Sequence, residues 1–176
     1  MPRVFTLLAA ALFGGLTGCA SKPENLMPTV TYVDLDRFMG DWYVIGNIPT
    51  FIERDAYNAI ERYARAPDGS IDTTFEFNAG ALDGPRKIYR PRGFIVDTAS
   101  NAVWGMQFVW PIKADYRVVY LSEDYAYTAI GRNQRDYLWI MSRTPTMPEP
   151  AYAAIVARLA DLGYDPKRIR RVPQSG

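Results

Sequence analysis

The 176-residue chain contains no histidine and only one cysteine. Without an imidazole there is no Ser-His-Asp or Cys-His nucleophile system, no His-ligated zinc and no side chain of ordinary pKa that switches near neutral pH. A lone thiol, Cys19, has no partner for an intramolecular disulfide. Neither sign of charge dominates, since 20 Lys and Arg stand against 19 Asp and Glu. A balanced chain sets up no global field to gather nucleic acid or anionic substrates. G-x-G-x-x-G and the phosphate-binding loop are missing too. Only chemistry on paired carboxylates, tyrosine or lysine survives these exclusions. Glu76 and Asp97 are the carboxylates to inspect for it, and no cofactor or metal site is indicated.

Long apolar runs are scarce as well. The one at the start, Val4 to Leu16, is too short to cross a bilayer, which takes about 20 apolar residues. Arg3 precedes it and the small residues Thr17 and Gly18 follow, so residues 1–18 have the layout of a secretory signal peptide. The alternative is a buried N-terminal helix with an incidental cysteine. The stretch LTGC, ending at Cys19, resembles the lipobox of bacterial lipoproteins. That resemblance implies cleavage before Cys19, acylation of its thiol and new amino terminus, and a membrane anchor. Two or more acyl chains hold a protein durably, whereas one is marginal. Ala20 stands where an aspartate would signal inner-membrane retention, so the analogy favours the outer membrane, facing the periplasm. Residues 19–31, with SKPENLMPT and its two prolines, read as a lipidated terminus and tether, and 32–176 as the folded domain.

Aromatic and β-branched residues are what the chain has in quantity. VDLDRFMG predicts one helical turn, capped by Asp34 and stopped by Gly40. From Trp42 to Arg143 come WYVIGNI, YNAIERYAR, SIDTTFEF, RKIYRPRGFIV, AVWGMQFVW, YRVVYLS, YAYTAIGR and YLWIMSR. Turn-forming stretches separate them: RAPDGS, NAGALDGP, DTASN, WPIKAD and NQRD. Eight candidate strands at hairpin spacing predict an antiparallel meander, with a bulge or bend at Pro91. An open sheet would leave two bare edges, so closure into an eight-stranded barrel is expected, with room inside for side chains or one small ligand. In EPAYAAIVARLADLGYD, residues Tyr152, Ile155, Val156, Leu159 and Leu162 repeat at helical spacing until Gly163, which predicts a helix packed on the barrel wall. Lys167, Arg168, Arg170 and Arg171 then read as a solvated terminal strand, with an anionic headgroup contact as the alternative.

GDWYVIGNIPTFIERDAYNAIERY resembles the first signature of the lipocalins, with Gly40 and Trp42 as its G-x-W. RDYLWIMSRTP is similar to their last signature, closed by Arg143. LSEDYAYTAIG matches the middle one at Asp124 and Tyr125, but lacks the threonine before the aspartate, and the later tyrosine is displaced to Tyr127 or replaced by Thr128. The similarity runs from about Val33 to the C-terminus and is greatest to the bacterial outer-membrane lipoprotein lipocalin (Blc) group, related to apolipoprotein D. It implies an all-β fold: an eight-stranded antiparallel up-and-down β-barrel of the lipocalin/calycin type, with one C-terminal α-helix on its wall. It also implies a non-enzymatic lipid-binding protein for storage or transport in envelope maintenance, and dimerisation.

Within such a barrel, Arg143 would lie across the Trp42 indole, a contact worth roughly 0.5–2 kcal/mol, and seal one mouth. If Arg143 points inward, alternation puts Met141, Trp139 and Tyr137 on the same side. Tyr116, Val118 and Tyr120 would share one face, and Trp104, Met106 and Phe108 another. These nine are the candidate ligand contacts, together forming an apolar cup for a fatty acid or lysophospholipid such as a palmitoyl chain. Burying about fourteen methylenes gains on the order of 11 kcal/mol gross, at about 0.8 per group, before the costs of immobilisation. Two other readings remain open: an enzyme on a lipid-like substrate, and a structural protein with a filled barrel.

Overall fold

A computed structural model describes Leu26–Ser175. The expected signal peptide and Cys19 lie outside the described residues. A short helix, α1 (Leu35–Phe38), precedes β1 (Gly40–Ile48), β2 (Ala56–Arg65), β3 (Ile71–Ala79), β4 (Arg86–Tyr89) and β5 (Arg92–Ile95). Then come β6 (Val103–Val109), β7 (Ile112–Leu121), β8 (Tyr127–Gly131) and β9 (Leu138–Ser142), followed by α2 (Glu149–Asp161) and β10 (Arg170–Arg171). Neighbours in the order β1-β2-β3-β5-β6-β7-β8-β9 pair antiparallel, and β9 returns to β1 through Tyr43↔Ser142 to Ile48↔Leu138, which closes the barrel. β4 and β5 are two halves of one barrel strand. They break at Arg90–Pro91, where proline offers no ladder donor, and both pair with β3. The barrel is therefore eight-stranded, with β10 added beside β1 beyond the point where β2 leaves it.

One expected turn is a strand. WPIKAD contains only the tip of a tight hairpin, Trp110–Pro111, and Ile112–Asp115 already belong to β7. Proline marked the turn correctly, but the residues after it pair with Met106 to Val109 and extend the hairpin beyond the wall.

Two cores share the barrel wall. Trp42, Val44, Ile71, Phe75, Trp104, Val118 and Met141 pack inside, while Ile45, Val119, Leu138 and Ile140 face outward onto Tyr152, Ile155 and Leu159 of α2. β9 is covered on both faces, which is why LWIM is an unbroken apolar run rather than an alternation. Small residues let the helix end come close. A Cβ at Gly131 would stand 2.6 Å from the Tyr164 hydroxyl, which accepts from Arg132 N at 2.9 Å and donates to Tyr137 O at 3.1 Å.

At one end the barrel is sealed. Asp34 caps α1 by accepting from Asp36 N at 3.0 Å and Arg37 N at 3.3 Å, and Trp42 Nε1 donates to Phe38 O at 2.8 Å. The Arg143 guanidinium lies 3.7 Å from the Trp42 ring centroid and donates to Asp41 O and Arg37 O. Gly40 has φ +95°, a backbone conformation that side-chain-bearing residues rarely adopt, and it lies directly beside the Arg143 guanidinium. Asp124 accepts from Ser122 Oγ and Ala126 N to form the β7–β8 turn, and the Tyr125 hydroxyl accepts from Asp34 N at 2.9 Å. All five signature residues thus meet at this closed end.

Candidate functional site

The opposite end is open onto a cavity of about 330 Å³, lined among others by Phe51, Ile52, Phe75, Met106, Phe108, Val109 and Ile112. Below it the lumen is filled. Phe38, Trp42, Tyr63, Trp104 and Tyr116 form a stack of rings with neighbouring centroids 5.0–6.4 Å apart, several of them edge to face. The hollow is a short cup above an aromatic plug.

The nine candidate contacts divide accordingly. Tyr137, Trp139, Tyr116, Met106 and Phe108 line the cavity. Trp104, Val118 and Met141 face inward but lie in the packed core and are not among the lining residues. Tyr120 is the one that leaves the interior. A bulge between Val118 and Tyr120 shifts the register, so Val119 and Tyr120 both turn to the outer core under α2. A single extra residue reverses the parity of everything beyond it, and no residue type in VVYL announces it.

The carboxylates also stand elsewhere than expected. Glu76 is ion-paired with Arg86 on the wall, outside the calyx lining, and Asp97 forms the β5–β6 loop by accepting from Ser100 Oγ and Ala99 N. The buried carboxyl groups inside the cup are Glu61 and Glu53, while Asp115, which also lines it, is paired with Arg117 and accepts from Asn133 N. Glu61 is reached from β2 by inward alternation with Tyr63. The Tyr63 hydroxyl donates to Glu61 Oε2 and stands 2.6 Å from the Tyr116 hydroxyl. Burial, reinforced by the nearby Glu53, pushes the Glu61 carboxyl up to about 8, so it carries a proton at pH 7. Burial raises the Tyr116 phenol as well, with Glu61 adding to it.

Glu53 hangs from the β1–β2 loop and accepts from Trp139 Nε1 at 3.0 Å and Thr50 N at 3.0 Å. Burial raises its pKa against the pull of those bonds and of Arg170. Arg170 donates to Glu53 O at 2.7 Å and to Asn47 Oδ1, while Arg171 pairs with Glu149 and covers the Tyr152 ring. Arg168 also donates to Asp136 O, so three of the four basic residues tie the C-terminus to the barrel or to α2 instead of standing free in solvent. At the mouth, Arg132 lies 3.0 Å from Asp136 and over the Tyr137 ring, leaving its buried Nε without a partner. Glu61 was findable in sequence only as a carboxylate on a β-rich run, a pattern shared by many solvent-facing ones.

No group of metal-ligating side chains occurs among the described residues, and none of their helices is long and apolar enough to cross a membrane. A sequence profile described as a lipocalin-like domain matches residues 33–174. The chain belongs to the lipocalin family. Among curated lipocalins it is 31% identical to temperature-induced lipocalin-1 of Arabidopsis thaliana, over 85% of this chain and 83% of that one. It is 27% identical to outer membrane lipoprotein Blc of Vibrio cholerae, over 99% of both chains. The solved structure of apocrustacyanin C2 superposes with a TM-score of 0.65 at 10% identity, over 88% of this chain and 94% of that one, which shows the shared lipocalin barrel.

Proposed function

We propose that this lipocalin is a membrane-anchored, non-enzymatic carrier that takes the acyl chain of a fatty acid or lysophospholipid into its cup, for storage or transport in envelope maintenance. The carrying observation is the one-ended, predominantly apolar cavity, sealed below by Arg143, Trp42 and the ring stack. Apolar burial drives entry without a strong polar contact. Arg132 lines the cavity and, ion-paired with Asp136, supplies a cation at the mouth for a carboxylate or phosphate headgroup. The name of its Vibrio relative, an outer membrane lipoprotein, supports the anchor at Cys19.

The path of the chain supports an orientation. Met27 N donates to Asn133 Oδ1 in the β8–β9 loop at the open end, and Val30 N donates to Val118 O farther down the wall. Cys19 precedes Leu26 by seven residues, at most about 25 Å of chain. An acyl anchor there keeps the open mouth close to the bilayer. The rim on that side is apolar, with Trp110 82% and Phe51 76% exposed beside Val109 and Ile112.

The test is titration of delipidated protein, lacking residues 1–19, with a fluorescent fatty acid while tryptophan emission is followed. Saturable quenching is expected because Trp139 lines the cup; its absence sinks the carrier reading. In cells, Cys19→Ala is expected to move the protein from the membrane to the soluble fraction. An enzymatic reading has one observation in its favour, the protonated Glu61, and requires that Glu61→Gln abolish a turnover that binding alone does not explain.

A further inference from the structure

The floor of the cup is not what a plain hydrocarbon end calls for. Three oxygen-bearing side chains line it, Glu61, Thr73 and Tyr116, on three different strands. Thr73 is 4% exposed and occupies an inward position of β3 between Ile71 and Phe75, where valine would fill the same space. Its Oγ1 is buried and has no hydrogen-bond partner. An orphaned hydroxyl on a residue that lines a cavity costs stability unless something arriving there bonds to it.

Glu61 is incompletely used in the same way. Its Oε2 accepts from Tyr63, and Tyr63 and Tyr116 satisfy each other, so the network closes on one carboxyl oxygen. No donor among the described residues reaches Oε1. The carboxyl is protonated at neutral pH because burial and Glu53 oppose its charge, which makes it a hydrogen-bond donor. Two further carboxyl residues, Glu53 and Asp115, line the same cup. An anionic end would have to leave water for the same buried floor, where desolvation already keeps the Glu61 carboxyl uncharged. A cationic end would have to leave water for a site where the floor is deeply desolvated, so the arrangement favours an uncharged oxygen.

We infer that the cup selects a chain with oxygen at both ends: a headgroup at the mouth, and at the buried end a hydroxyl or carbonyl that hydrogen-bonds to Thr73 Oγ1 and the free oxygen of Glu61. This rests on the carrier reading and deepens it by naming the chemistry of the far end of the ligand. An apolar pocket ordinarily penalises an added hydroxyl, whereas a pocket holding unpaired polar groups rewards it, because the same bond satisfies both sides.

The experiment displaces a fluorescent fatty acid from the delipidated chain with two series of increasing length, saturated fatty acids and their ω-hydroxy counterparts, with ω-amino acids as a third arm. At the length that reaches the floor, the ω-hydroxy acid is expected to bind about tenfold more tightly than its parent. Thr73→Val is expected to remove that preference while the parent acid binds as well or better, and Thr73→Ser to keep it. Parent acids that bind with no hydroxyl advantage at any length overturn this inference alone, as does an advantage that survives Thr73→Val. A gain for the ω-amino series in place of the ω-hydroxy series overturns it too. Failure of every series to bind sinks the carrier reading and takes this inference with it.

Discussion

Arg143 and Trp42 come from opposite ends of the barrel sequence and meet face to face, the guanidinium carbon 3.7 Å from the indole centroid. The arginine also donates to the carbonyls of Asp41 and Arg37, tying β9, β1 and the α1 plug together. Cation–π contact and two charge-assisted bonds to backbone add up to about 2–4 kcal/mol. Arg143→Ala should lower the unfolding free energy in urea by that amount. Arg143→Lys should recover only part of it, because an ammonium cannot make the forked contacts. An alanine variant as stable as the wild type would remove the seal from the account.

Glu61 gives the fold a pH dependence of defined sign. Its folded pKa of about 8 lies above the ordinary value of 4.5, so the native state holds a proton that the unfolded chain releases. This contribution is fully present below about pH 4.5 and is lost as pH rises to about 8. Between those values stability should fall by up to about 1.4 kcal/mol per pH unit. Glu61→Gln, which cannot ionise, should flatten that slope and be more stable than wild type, relative to pH 5, when both are melted at pH 8. An unchanged slope would show that Glu61 ionises freely in the fold.

Trp110 projects at the hairpin tip and is not a lining residue of the cup. With the mouth held against a bilayer, its ring should enter the interface. Trp110→Ser should weaken partition of the unacylated protein onto anionic lipid vesicles about tenfold, the scale of one large apolar side chain, and leave fatty acid affinity unchanged. Vesicle sedimentation and displacement titration read the two quantities separately. Equal partition of variant and wild type would place the rim away from the membrane.

Gly131 and Tyr164 test how α2 is seated. A methyl at Gly131 would meet the Tyr164 hydroxyl, which bridges Arg132 N and Tyr137 O. Gly131→Ala should cost about 1–3 kcal/mol by overpacking and broken bonds. In a Tyr164→Phe background the same substitution should cost less, because the clashing atom is gone. Additive losses in the double variant would mean that the two residues do not touch.

The open end and the closed end of the barrel were not equally readable. At the closed end the resemblance to the lipocalin signatures singled out Gly40, Trp42, Asp124, Tyr125 and Arg143, and these residues meet there. Pro91 broke its strand as a missing donor must. The cup was harder. Parity placed Tyr137 and Trp139 on the lining, but the bulge at Val119 sent Tyr120 outward, and the ring stack withdrew Trp104 from the cavity. Glu76 and Glu61 look alike as text. Only the pairing of β2 with its neighbours turns one of them into the lumen.

Local chemistry, acting over a few residues, set the strands, the turns, the helix face and the capped plug, because propensity, proline and alternation operate at that range. Which side chains would share an enclosed space, and so lose water together, depended on register and closure between segments far apart in the chain. Desolvation belongs to the assembled barrel, and it is desolvation that holds a proton on Glu61 and leaves Thr73 without a partner.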